Sequence, residues 1–178
     1  MINSLSLKVR QVKKIGIDAR FFGPRDKGLG RYTENLVRNL EKIDPQNQYF
    51  IFLRKKREKD YRPANPNFKK ISVRFPFSRL LKKYNLDLMH FTFYKVPFFY
   101  KKGFVLTVHD LTWQRFPIFN PLKRLIYKMG FRSALRRAGK IIAVSEYVKK
   151  DIVKTYPAKN GVSAVNPDKI EVIYEGVG

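Results

Sequence analysis

The 178-residue chain contains no cysteine, which excludes disulfides and thiolate metal sites and says little about compartment. Histidine is nearly as scarce: only His90 and His109 are present, so no metal site is expected. Acidic residues are few, with fourteen Asp and Glu against 38 Lys and Arg, a net charge of +24. No apolar run approaches the roughly 20 residues that span a bilayer, and Met1 to Lys8 lack the apolar stretch of a secretory signal. The expectation is a cytoplasmic protein, soluble or peripheral on the inner face of the membrane. Nothing repeats internally, and the length is that of one domain.

What is present begins with charge. A field of this size favours a polyanionic partner: nucleic acid, an acidic membrane surface or an anionic substrate. Nucleic acid ranks last, because no helix-turn-helix, zinc-ligand or RNP-like signature occurs. The 15 Phe and 10 Tyr fall mainly in strand-like runs, which predicts an aromatic-rich core.

Short runs of Ile, Val, Phe and Leu predict strands over 14–19, 49–53, 71–75, 86–91, 104–108, 140–144 and 170–174. Helical spacing predicts helices over 30–42, 78–84, 121–138 and 145–155. Such alternation argues an α/β fold with a doubly wound, mostly parallel sheet. Ligands of such sheets bind beyond the carboxyl ends of the strands, so the loops after 19, 91, 108 and 144 are the places to look. The run Arg54-Lys55-Lys56-Arg57-Glu58-Lys59 reads as a solvated surface segment.

Several loops carry chemistry-bearing residues. After the first strand, Gly28-Leu29-Gly30-Arg31 opens a helical pattern, an arrangement in which backbone N–H groups and a helix start can face a phosphate. The glycines can equally be there to turn the chain. His109-Asp110-Leu111-Thr112 follows the fifth strand directly; a histidine there can reach a polar ligand or be structural. After the sixth strand, Ser145 precedes Glu146 and reads as a helix N-cap, compatible with a ligand near the same helix start.

In order, Gly16-Ile17-Asp18-Ala19-Arg20, Gly28-Leu29-Gly30-Arg31-Tyr32, His109-Asp110-Leu111-Thr112, Ala143-Val144-Ser145-Glu146-Tyr147 and Ile170-Glu171-Val172-Ile173-Tyr174-Glu175-Gly176-Val177 resemble glycosyltransferase family 4. The resemblance is strongest to its mannosyltransferase-type members, retaining enzymes of the GT-B fold. It implies a Rossmann-like N-terminal domain over 13–174, preceded by an extension over 1–12. It also implies that 175–178 begin the hinge into a donor-binding domain, which lies outside this sequence. Where Glu175 stands, the family's hinge commonly has Asn.

The resemblance further implies that Gly28, Leu29, Gly30 and Arg31 approach the diphosphate of a nucleotide-sugar donor. His109 would lie beside the transferred sugar as the catalytic candidate. His90, Tyr94, Asp110, Ser145 and Glu146 become cleft or acceptor candidates, with core packing the alternative for His90 and Tyr94, loop shaping for Asp110, and capping for Ser145. The implied reaction moves a sugar to a glycan or lipid-linked acceptor, as in cell-envelope polysaccharide synthesis, and needs no metal or other cofactor. This half alone is expected not to turn over, because donor-phosphate groups of the second domain stabilise the leaving diphosphate. A non-catalytic sugar- or membrane-binding module is the alternative.

The predicted helix over 121–138 spaces Arg124, Lys128, Arg132 and Arg136 four apart, with Leu122, Leu125, Ile126 and Met129 on another side. That pattern suits a basic amphipathic helix on anionic lipid. The reading that comes first is an ordinary helix whose apolar stripe enters the core and whose basic face is solvated.

Overall fold

The computed structural model describes residues 11–74, 76–115, 120–157 and 165–176. Most of the expected N-terminal extension, the end of the predicted third strand at 75, and residues 177 and 178 lie outside the described residues. The elements in order are β1 (Lys14–Ala19), α1 (Lys27–Ile43), β2 (Gln48–Arg54), β3 (Phe68–Val73), α2 (Phe77–Lys83), β4 (Leu88–Phe91), β5 (Phe104–Val108), α3 (Thr112–Arg115), α4 (Pro121–Arg137), β6 (Lys140–Ala143), α5 (Glu146–Thr155) and β7 (Ile170–Val172).

Among the described residues, seven strands form one parallel sheet in the order β3-β2-β1-β4-β5-β6-β7. The apolar strands are buried on both faces. Along β2, Phe50 and Phe52 enter one core cluster while Tyr49, Ile51 and Leu53 enter the other, as the two-residue period of a strand requires. Val37 of α1 packs in the second cluster; Leu81 of α2, Phe131 of α4 and Ile152 of α5 pack in the first. The sheet is thus covered from both sides: a Rossmann-like α/β fold, as expected.

Several boundaries differ from the sequence reading. β3 begins at Phe68, earlier than predicted, because exposed Lys69 and Lys70 mask it. It is an edge strand, where lysines are tolerated and discourage further pairing. α1 starts at Lys27, so Gly28 and Gly30 lie in its first turn rather than ahead of it. The basic run is only partly a solvated surface: Lys55 and Lys56 are exposed, but Arg57 is buried. Its guanidinium holds Asp26 through bonds of 2.6 and 2.7 Å, an attraction that offsets its desolvation.

The reading of α4 as a helix with an apolar core stripe is overturned. Leu122, Leu125, Ile126 and Met129 are all more than half exposed. Arg124 instead turns inward and donates to the Gln114 carbonyl, and Phe131, Ala134 and Leu135 make the helix's buried face. Tyr127 is half-buried against the same cluster, while the side of the first half that carries Leu122, Leu125 and Ile126 stays exposed.

Candidate functional site

Strand order reverses direction at β1, whose neighbours are β2 and β4, and a crevice opens beyond the strands' carboxyl ends at such a point. Hydroxyls join the elements around it. Thr92, just after β4, donates its Oγ1 hydrogen to the Asp18 carbonyl at 2.6 Å. Thr33 of α1 donates to the Leu29 carbonyl at 2.9 Å, and the two hydroxyl oxygens lie 3.3 Å apart.

His109 follows β5 at the centre of this region. Its Nε2 donates to the Thr92 carbonyl at 3.1 Å, and its Nδ1 lies 2.7 Å from Glu175 Oε1. A carbonyl and a carboxylate are both acceptors, so the ring satisfies both contacts when each nitrogen carries a hydrogen. Tyr32 meets the ring edge-to-face with centroids 4.7 Å apart. The imidazole is therefore held from three directions.

Behind it runs a second chain of polar contacts. The Tyr32 hydroxyl is 3.0 Å from Thr107 Oγ1, which is 2.8 Å from His90 Nε2. Burial pushes the pKa of His90 down to about 4, Asp18 opposes this, and electrostatic repulsion from the neighbouring His109 adds to it. His90 is thus neutral at pH 7 and serves as a hydrogen-bonding support. Burial likewise raises the Tyr32 phenol above its ordinary value.

Around His109 opens a cleft of about 350 Å³. Gly28 and Leu29 border it from α1, Phe93 and Tyr94 from the segment after β4, and Thr107 and Val108 from β5. Asp110 comes from the stretch entering α3 and Trp113 from α3 itself, with Val144 and Glu175 completing the wall. No side chain caps the first turn of α1 beside it, because the Asp26 carboxylate is taken by Arg57 and by the Phe22 N–H.

The predicted site residues divide accordingly. His109, Asp110, Tyr94, Gly28 and Leu29 meet in the cleft. Gly30 does not line it: a Cβ there would stand 2.2 Å from the Gly23 carbonyl oxygen, so the glycine allows the loop to close against the helix. Arg31 is exposed and borders no part of it. Ser145 accepts from the Val148 N–H at 3.2 Å as an N-cap, and Glu146 is exposed beside it. Asp110 Oδ1 accepts from the Thr112 N–H at 2.8 Å and shapes the turn into α3.

Trp113, Thr92, Thr107 and Glu175 escaped the sequence reading as site residues. The lone tryptophan four residues after His109 was an available signal. The distance in sequence between His109 and Glu175 hid their contact.

The sequence profile of Glycosyltransferase Family 4 matches residues 26–178. The chain belongs to glycosyltransferase family 4. Two solved structures, the wall teichoic acid polymerase TagF and a histidine-to-alanine variant of it, superpose with a TM-score of 0.58 at 14% identity. They cover 92% and 91% of this chain, which spans 38% of either, and they agree with a GT-B arrangement for this family 4 domain. No curated protein matches the sequence.

Proposed function

We propose that this family 4 domain forms the acceptor-side wall of a retaining glycosyltransferase. The donor is a nucleotide-diphosphate sugar, and the acceptor a glycan or lipid-linked acceptor, as in cell-envelope polysaccharide synthesis. The observation that carries the reading is His109, fixed by Thr92, Glu175 and Tyr32 at the end of β5, facing a cleft bordered by the uncapped first turn of α1.

In this reading the N–H groups at Gly28 and Leu29 meet the donor diphosphate, where the helix dipole opposes its charge. His109 touches the transferred sugar, and Trp113 and Tyr94 supply apolar faces for sugar rings. No metal is required, because backbone dipoles and basic side chains neutralise the phosphates. The chain supplies one wall and needs a second α/β unit, in the same polypeptide or another, for turnover.

Transfer of a labelled sugar from nucleotide donors by the assembled enzyme tests this. His109→Ala is expected to lower kcat at least about 100-fold, the scale of a lost polar contact to the reacting centre. A variant with unchanged kcat would remove the reading. The 178-residue chain by itself is expected to give no transfer.

Docking on an anionic membrane is a companion reading, favoured by the exposed apolar side of α4. Lys128, Arg132 and Arg136 are exposed on that helix, while the inward-turned Arg124 leaves the set. Sedimentation with anionic but not neutral vesicles, weakened by salt, is the expected result. Equal sedimentation with both would exclude it.

A further inference from the structure

Tyr94 borders two cavities. Besides the His109 cleft, it lines an apolar groove of about 510 Å³ between the segment after β4 and α4. Buried Phe77 and Phe131 lie deep in it, and Phe98, Ile126 and Met129 border it while more than half exposed. Phe99, Leu122 and Leu125 continue the apolar surface on the same loop and helix, with Phe99 76% exposed. Apolar side chains gathered at one place in this way mark a binding surface.

Charge selects the occupant. Between residues 61 and 145 there are eighteen Lys and Arg and only two acids, Asp87 and Asp110. Lys95 reaches from the loop to α4, its Nζ 4.9 Å from the centre of the Tyr127 ring. Arg20, paired with Asp18 at 2.7 Å, donates to the Lys95 carbonyl at 2.9 Å and fixes that part of the loop. Arg20 and Lys95 are the charged residues that line the trough, and with no carboxylate among its lining it complements an anionic amphiphile rather than a neutral one.

We propose that this groove takes a hydrocarbon chain of an anionic phosphate-bearing membrane lipid, with the phosphate at Lys95 and the head directed past Tyr94 into the His109 cleft. The binding of the chain stands on the groove alone. Its meaning, that the acceptor is a lipid phosphate, rests on the proposed glycosyltransferase function.

The test uses the 178-residue chain and three probes below their micelle concentrations where these apply: dodecyl phosphate, inorganic phosphate and neutral dodecyl maltoside. Trp113, the single tryptophan, stacks on Tyr94 with ring centroids 5.1 Å apart and reports occupancy by fluorescence. Dodecyl phosphate is expected to saturate at least about tenfold tighter than either other probe, the gain of joining chain and charge on one ligand.

Gly130 lines the groove in the middle of α4, with open space where a Cβ would stand, so Gly130→Leu fills the trough and favours the helix. It is expected to weaken dodecyl phosphate at least about tenfold without lowering the melting temperature, and Lys95→Gln to weaken it about threefold or more. Dodecyl phosphate binding no tighter than inorganic phosphate, or binding untouched by Gly130→Leu, overturns the groove. Equal binding of dodecyl maltoside, or no effect of Lys95→Gln, overturns the placement of the phosphate. Self-association that Gly130→Leu abolishes, without dodecyl phosphate binding, assigns the face to a second copy and overturns the proposal. Dodecyl phosphate binding in a protein whose assembled form transfers no sugar removes the proposed function and leaves the groove standing.

Discussion

The Nδ1 of His109 lies 2.7 Å from Oε1 of Glu175, joining the end of β5 to the segment after β7 across the intervening β6. Thr92 holds the other ring nitrogen, so the imidazole is oriented by residues from both sides of its own strand. The relationship makes the segment after β7 part of the site.

That contact is oriented more than it is strong. Glu175 is 45% exposed, and solvent screens the pair. A double-mutant cycle with His109→Ala and Glu175→Ala, followed by urea unfolding, is expected to give a coupling near about 0.5 kcal/mol that shrinks as salt is added. A coupling above about 2 kcal/mol, insensitive to salt, would contradict the screened geometry.

His90 makes stability depend on pH. Burial lowers its folded pKa to about 4 from 6.5, so below pH 6.5 the unfolded chain binds a proton that the folded one refuses. Its contribution is therefore undiminished above the unfolded pKa, falls as pH drops from 6.5 towards 4, and levels off below that. The loss is about 3 kcal/mol. Urea midpoints across this range should fall more steeply for the natural protein than for His90→Gln. Parallel curves would refute the assignment.

The two glycines of the α1 first turn should respond in opposite ways. Gly30→Ala places a methyl 2.2 Å from the Gly23 oxygen and 2.7 Å from Asp26 Cβ, and should cost about 1–3 kcal/mol. Gly28→Ala meets nothing within 4 Å and should change stability by less than about 1 kcal/mol while weakening nucleotide-sugar binding, since its methyl borders the cleft. Thermal melts with donor titrations separate the two; equal melting temperatures would reject the packing role of Gly30.

Arg57 supports the cleft from outside it. Its hydrogen bonds hold the Asp26 carboxyl below the usual range, against the burial that opposes them. That stabilisation is present above the ordinary carboxylate pKa and is lost as pH falls through the lowered one. Arg57→Ala strands a carboxylate that is 9% exposed at the entrance to α1 and should cost about 3–5 kcal/mol in urea. A loss under about 1 kcal/mol would show that the pair is not structurally coupled to the helix.

Residues with one dominant environment were legible. Strands such as Phe104–Val108, apolar on both faces, announce a covered parallel sheet, and a histidine at the end of one falls where ligands gather. Residues with two competing environments were not. Lys69 and Lys70 read as loop yet sit on an edge strand, and Arg57 reads as surface yet is buried against Asp26. Leu122 to Met129 read first as core and second as a docking face, and only the tertiary packing of α4 decides for exposure.

The sequence by itself determined the fold class, the family and the position of His109, because these follow from local apolar patterning and ordered short motifs. Tertiary structure decided what joins His109. The Thr92 carbonyl, the Tyr32 ring and the Glu175 carboxylate are remote in sequence and are brought together only by strand order. It also decided that Gly30 serves packing, that Arg124 turns inward and that an apolar groove opens beside Tyr94. The physical reason is common to all of these: periodicity reports which face of an element is apolar, whereas contact depends on what the remainder of the chain places opposite that face.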